Sequence, residues 1–259
     1  VINNEIIGRT PLSKIVGIGE NLKIKIEKTG FKSIEKEITI EKEETILKET
    51  LEQEIKKGSI LWKFKSKTGI RGDVIAQADK IYFASIDGTI YCIDNKSSKI
   101  WEYKIARGVS SSPVIYKNLL LIGGNDGILY TLSKDNGKLL WKTKIGTIVY
   151  SKPLVVADRI YVGTSEGKFL ALTITQGKIL WQYKASSGIY STPVKKANLL
   201  FFGCEDSNLY AIDINGKLKW KYQTGGRIVK SSPVVYKNSV FILSLIHISE
   251  PTRLGMISY

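Results

Sequence analysis

One histidine and two cysteines stand in 259 residues, and that scarcity bounds the chemistry first. The histidine, His247, sits in the C-terminal tail, and residues 1–242 contain none. Ser-His and Cys-His nucleophile pairs and the usual zinc sites are therefore excluded from that stretch. Cys92 and Cys204 lie far apart without metal-type spacing. A chain this long needs no disulfide framework, so both read as small, partly buried side chains. The lone Met is Met256, and Val1 opens the chain. The natural start is expected upstream, with any signal peptide, lipid-anchored Cys or membrane helix it carried. No apolar run reaches the ~18 residues that span a bilayer. A phosphate loop is missing too: Gly167-Lys168-Phe169 and Gly177-Lys178-Ile179 lack the hydroxyl residue that follows the lysine in such loops.

What is present is basic charge, unevenly placed. Residues 1–60 hold 11 basic and 11 acidic side chains, so the remaining 28 basic and 13 acidic residues account for the whole net charge of +15. Two regions of different character follow. Lysines alternate along Trp62-Lys63-Phe64-Lys65 and Trp141-Lys142-Thr143-Lys144. On an outer strand they form a solvated edge that discourages strand addition, which favours a soluble basic surface over a nucleic-acid site.

Periodicity dominates the second region. Trp62, Trp101, Trp141, Trp181 and Trp220 are spaced 39, 40, 40 and 39 apart, and Pro113, Pro153, Pro193 and Pro233 are each 40 apart. One period reads as four short strands. Pro113–Tyr116 is followed by a turn at Lys117-Asn118 and by Leu119–Ile122, a continuous apolar run suited to burial on both faces. Asn125-Asp126-Gly127 then turns into Ile128–Leu132, and Asn136-Gly137 turns into Leu139–Ile145 with Trp141. Asp87-Gly88, Glu166-Gly167 and Asp206-Ser207 repeat the first Gly-type turn, so Gly88, Gly127 and Gly167 are marked as repeat residues. The opening repeat is degenerate, with Gly72-Asp73 where Ser-Pro is expected and Ser97-Ser98 in place of Asn-Gly. Four strands every ~40 residues predict the blades of a β-propeller, with one packing Trp per blade wedged between sheets.

The run Leu209-Tyr-Ala-Ile-Asp-Ile-Asn-Gly-Lys-Leu-Lys-Trp220 resembles the core motif of pyrroloquinoline-quinone-like repeats, and Tyr91-Cys-Ile-Asp with Trp101 is a looser copy. The resemblance covers about 62–242. Ahead of it, Val1-Ile-Asn-Asn and Gly8-Arg-Thr-Pro-Leu12 resemble a PEGA domain, a small β-fold common outside the cytoplasm in prokaryotes. Leu22, Ile24 and Ile26 alternate with charge as a half-buried strand, Gly30-Phe31 marks a turn, and Ile38–Ile40 and Thr45–Leu47 suit further strands. Leu243–Arg253, with Ile257-Ser258-Tyr259 after an index-length gap, resembles the in-frame translation of a transposase-type sequencing adapter. The natural protein is then expected to continue past Ile242, and His247 to carry no function. The expected architecture is all-β: a PEGA-like domain at 1–55, an incomplete propeller of four-stranded blades at 59–242, and an adapter-derived tail at 243–259. The boundary falls near Ile55–Ile60, after a charged linker within Glu41–Lys57.

The repeat resemblance also raises a quinone-dependent dehydrogenase. Such enzymes use acidic and amide calcium ligands, and many have two adjacent cysteines, whereas Cys92 and Cys204 are not adjacent. Asp87, Asp126, Glu166 and Asp206 recur at turn positions, which suits turn chemistry. The expectation is a non-catalytic propeller outside the cytoplasm, in the periplasm or at the cell surface. It is expected to bind a protein or cell-surface polymer rather than nucleic acid, with no catalytic residue, cofactor or metal assigned. The alternatives are the extracellular sensor region of a membrane serine/threonine kinase, which the PEGA resemblance allows, and a dehydrogenase fragment.

Overall fold

The computed structural model describes residues 19–27, 31–39, 41 and 60–245, and the backbone of 254–258. The chain divides into two compact units, Val1–Leu61 and Trp62–Tyr259. In the first, β1 (Asn21–Ile26) pairs antiparallel with β2 (Ile34–Thr39), Leu22 opposite Ile38 and Ile24 opposite Lys36. Leu22 is buried and Ile24 and Ile26 are half-buried, as the alternation requires. The expected strand at Thr45–Leu47, the linker and most of the PEGA-like opening lie outside the described residues.

The second unit is a series of antiparallel sheets, each built from consecutive strands. The first sheet holds β3 (Ile75–Gln77), β4 (Lys80–Ala84), β5 (Thr89–Asp94) and β6 (Lys99–Lys104). The second holds β7 (Val114–Tyr116), β8 (Leu119–Gly123), β9 (Ile128–Ser133) and β10 (Leu139–Lys144). The third holds β11 (Leu154–Val156), β12 (Arg159–Gly163), β13 (Lys168–Thr173) and β14 (Ile179–Lys184). The fourth holds β15 (Val194–Lys196), β16 (Leu199–Gly203), β17 (Asn208–Asp213) and β18 (Leu218–Gln223). The last has β19 (Val234–Tyr236), β20 (Ser239–Leu243) and β21 (Leu254–Ser258). The unit is all-β, with repeated four-stranded sheets and no closed barrel: an incomplete propeller.

The two middle strands of each sheet are apolar throughout because both of their faces are covered. Leu120 and Ile122 of β8 face the first sheet, in a cluster with Tyr82, Ile90 and Cys92. Leu121, between them, turns the other way to Ile160, Val162 and Leu170 of the third sheet. The same alternation sends Phe169 and Tyr161 toward Phe202 and Tyr210, and Phe201 and Leu209 toward Val240 and Ile242. Each such side chain contributes about 1.5–3 kcal/mol on full burial. Trp62 and Phe64, ahead of the first sheet, cover Phe83, Tyr91 and Ile93 on its remaining face. The Phe64 ring stands 5.5 Å from that of Phe83 and 5.4 Å from that of Tyr91.

Two expectations change in detail. Asp73 N–H donates to Ser112 Oγ at 2.9 Å across 39 residues, as Thr192 N–H does to Ser232 Oγ at 2.9 Å across 40. Asp73 therefore fills the place before the proline and Val74 that of the proline, one residue later than the sequence comparison put it. Gly72 replaces the buried serine, and a Cβ there would meet Ser111 O at 2.7 Å. The reading of 243–259 as extraneous finds no support in the arrangement. β20 runs through Leu243, Ser244 is buried, Leu245 N–H donates to Arg227 O, and β21 pairs along β20. His247 lies outside the described residues.

Candidate functional site

The outer strand of each sheet fixes how the next sheet seats. Trp101 Nε1 donates to Lys134 O at 3.0 Å, Trp141 to Ile174 O at 3.1 Å, and Trp181 to Ile214 O at 3.0 Å, each 33 residues on. The indole lies over the glycine of the neighbouring hairpin. A Cβ on Gly137, Gly177 or Gly216 would come within 2.6, 2.4 or 2.6 Å of the ring. Those glycines also sit at φ +71°, +66° and +86°, where L residues are disfavoured. Trp220 packs on Phe201 at 5.7 Å between ring centroids. In the opening repeat Ser97 takes φ +67° where the other hairpins use glycine. Pro113, Pro153, Pro193 and Pro233 are all buried just before their inner strands, where no N–H is needed. Beside them Ser111 Oγ donates to Ser151 O at 3.2 Å, and Ser151 Oγ to Ser191 O at 2.8 Å, lacing three sheets together.

These contacts set out two faces. On one, the turns between second and third strands meet the connections that leave the fourth strands. Gly88, Gly127 and Gly167 occupy those turns at φ +93°, +74° and +83°. Asn125 N–H donates to Gly108 O, Ser165 N–H to Ile148 O and Glu205 N–H to Gly188 O, all bridging neighbouring sheets. Glu166 accepts from Thr147 N–H at 2.8 Å, and Arg227 pairs with Glu205 at 3.1 Å. The Tyr150 and Tyr190 rings lie 5.4 Å apart on the same connections. On the opposite face, the turns between first and second strands meet those between third and fourth. There Ile174 N–H donates to Asp158 O and Ile214 N–H to Asn198 O, while Lys80 pairs with Asp135 at 3.6 Å.

The turn carboxylates serve their own turns. Asp87 accepts from Lys104, Ser85 and Thr89, led by Lys104 Nζ at 2.7 Å, which holds it well below the ordinary carboxyl range. Lys168 and then Thr147 hold Glu166 at about 2, against an ordinary 4.5. Burial pushes Asp206 up, but hydrogen bonds from Tyr210, Cys204 and Asn208 hold it below its usual value. A depressed folded-state pKa stabilises above the unfolded value and is lost as pH falls through the folded one. Thermal stability should therefore hold from neutrality down to about pH 4.5 and drop toward pH 2. Melting curves across that range check it, and Glu166→Gln should lessen the drop.

Cys92 and Cys204 sit in separate core clusters, and burial pushes the Cys204 thiol up to about 12. Neither forms the adjacent pair of a quinone enzyme. Among the described residues no group of three or more His, Cys, Asp or Glu is placed to hold a metal ion. The residues present do not fit a quinone-and-calcium centre. The sequence reading missed the two faces themselves and Tyr150 with Tyr190, because their positions in the period are held by unlike residues: Ser110, Tyr150, Tyr190 and Lys230.

The fold and its inter-sheet docking define a β-propeller protein of tryptophan-bearing repeats. The family model described as outer membrane protein assembly factor BamB matches residues 49–147 and 98–248, and the chain belongs to that family. The PEGA domain model matches residues 1–55. No curated protein matches significantly. Among solved structures, the computationally designed protein Ika8 matches at TM-score 0.59 and 16% identity, over 65% of this chain and 54% of its own. The quinohemoprotein alcohol dehydrogenase ADHIIG from Pseudomonas putida HK5 matches at 0.56 and 15%, over 76% of this chain and 40% of its own. BamB from Moraxella catarrhalis matches at 0.49 and 17%, over 86% and 76%. The chain thus spans about half of the designed protein and less of the dehydrogenase. These likenesses establish the fold alone.

Proposed function

We propose that this protein is a non-catalytic propeller module that works outside the cytoplasm by binding a protein partner. The observation that carries this is the face built from second-to-third-strand turns and fourth-strand exits. There the carboxylates are engaged in holding backbone, while Tyr150, Tyr190 and Arg227 supply the residue types that concentrate binding energy at protein interfaces. Membership in a family described as an outer membrane protein assembly factor supports both the binding role and the location. A dehydrogenase role is disfavoured by the separation of the two cysteines and the local engagement of the acidic turns. The PEGA match favours one second reading, the sensor region of a membrane serine/threonine kinase. The nucleotide sequence upstream of Val1 separates the two, since only the sensor reading needs a membrane helix and a kinase domain there. Sequence likeness supports an adapter origin for 243–259, and resequencing the gene across Ile242 tests it.

The module itself is tested by affinity capture of the complete protein, secreted from its source cells. One reproducible partner, lost on Tyr190→Ala with folding intact, is the expected result. No such partner, or dye-linked alcohol oxidation with quinone and calcium supplied, would overturn the proposal.

A further inference from the structure

The outer strands carry a second device, on the opposite face. In each complete sheet the pairing of third and fourth strands slips by one residue beside the tryptophan. Cys92 faces Trp101 while Ile93 faces Lys99, so Ile100 is left over. By the same slip Leu140, Leu180 and Lys219 are the extra residues of their strands. A bulge of this kind re-aims its extra side chain. Here it turns Ile100, Leu140 and Leu180 to solvent, 44%, 52% and 43% exposed. Their neighbours Leu139 and Ile179 are 38% and 40% exposed. An apolar side chain at a solvent-facing bulge gains nothing for the core, yet it recurs in three consecutive sheets. Lysines accompany it: Lys138 and Lys178 directly precede these apolar pairs and are exposed. The turn segments of this face (77–80, 94–100, 116–119, 133–140, 156–159, 173–180, 196–199, 213–219 and 236–239) hold 12 basic and five acidic residues.

We propose that this face docks on an anionic lipid surface, the bulge residues entering the headgroup boundary and the lysines meeting lipid phosphate. The charge is complementary to such a surface, and Leu or Ile beside Lys is the pairing that interfacial membrane binding uses. The repetition favours lipid over a protein partner. A bilayer has no register and is met equally well by the same contact made three times, whereas protein interfaces concentrate energy in a few central aromatic and arginine residues. The lipid face and the protein-binding face are separate, so either can fail without the other.

The test is sedimentation of the 259-residue chain with vesicles of phosphatidylcholine alone or mixed with phosphatidylglycerol. Binding to the mixed vesicles at low salt, weakened by added salt, is expected. The double variant Lys138→Gln/Lys178→Gln should lower affinity about thirtyfold, two charges each contributing near a membrane surface. Leu140→Ser/Leu180→Ser should weaken binding to the same vesicles, and Arg107→Gln on the opposite face should not. Equal binding to both vesicle types would overturn the proposal, as would an Arg107→Gln loss matching the lysine pair. Retention on polyglutamate without vesicle binding would also overturn it and assign the face to an acidic protein.

Discussion

Trp101→Ala is expected to cost about 3–5 kcal/mol of unfolding free energy, the range for removing a large aromatic from a packed site. Trp101 is 8% exposed and stands 6.1 Å from the Tyr82 ring. It covers Gly137 so closely that no side chain fits between. Its deletion empties the seam between the first and second sheets, and no neighbour can refill it, because Gly137 has no side chain and Cys92 and Ile122 are already fully buried. The loss of the Nε1 bond to Lys134 O adds less, about 1 kcal/mol. Trp101→Phe, which keeps a ring and loses that donor, should therefore recover much of the stability. Urea unfolding separates the two terms. Because each sheet contacts mainly its sequence neighbours, the loss should also weaken coupling across this seam and broaden the transition. A cost below about 1.5 kcal/mol for Trp101→Ala would mean that the sheets are held by their strand cores alone.

The blades were legible in the sequence because three independent signals share one period. Middle strands covered on both faces have to be apolar throughout, hairpins need glycine or its substitutes, and one large residue per repeat has to fill the seam. Leu119–Ile122, Gly127 and Trp141 each announce one of these. The first-to-second-strand turns were harder to read. Ala78, Lys117, Ala157, Ala197 and Lys237 all adopt φ between +49° and +53° without being glycine. The geometry there is imposed by pairing on both sides rather than by local preference, at an expected cost of roughly 1–2 kcal/mol each. The opening repeat misled by one residue because Val74 stands in for proline and carries no mark of its own. The bulges were invisible for a related reason. Lys99-Ile100-Trp101 and Lys178-Ile179-Leu180-Trp181 read as ordinary apolar strand starts, and only the register reveals that Ile100 and Leu180 point away from the seam. The faces were less legible still, since they are assembled from turns about 20–40 residues apart whose identities do not repeat.

Gly127→Ala should be the most damaging of the glycine substitutions, at roughly 2–5 kcal/mol, combining left-handed backbone strain with overpacking. Gly127 sits at φ +74°, and an added Cβ would lie 1.8 Å from Gly146 O and 2.7 Å from Thr147 O. These are backbone atoms, which cannot swing aside as a flexible side chain would. They are also held in place: Gly127 O accepts from Ile145 N–H at 2.9 Å and from Gly146 N–H at 3.1 Å. Relief requires the exit of β10 to move away from the turn, and both bonds go with it. The natural comparison is Gly19→Ala. Gly19 has φ +87° but nothing within 4 Å of its Cβ position. Its substitution should cost only the conformational part, about 1–2 kcal/mol, and only in the first unit. Urea unfolding of both variants measures the difference, and equal losses would show that the crowding at Gly127 is relieved without breaking the turn. The displacement also reaches Thr147, whose N–H binds Glu166 in the next sheet. Gly127→Ala should therefore shift the acid-induced loss of stability as well as lowering its starting value, whereas Gly19→Ala should leave the acid profile of the repeat unit unchanged.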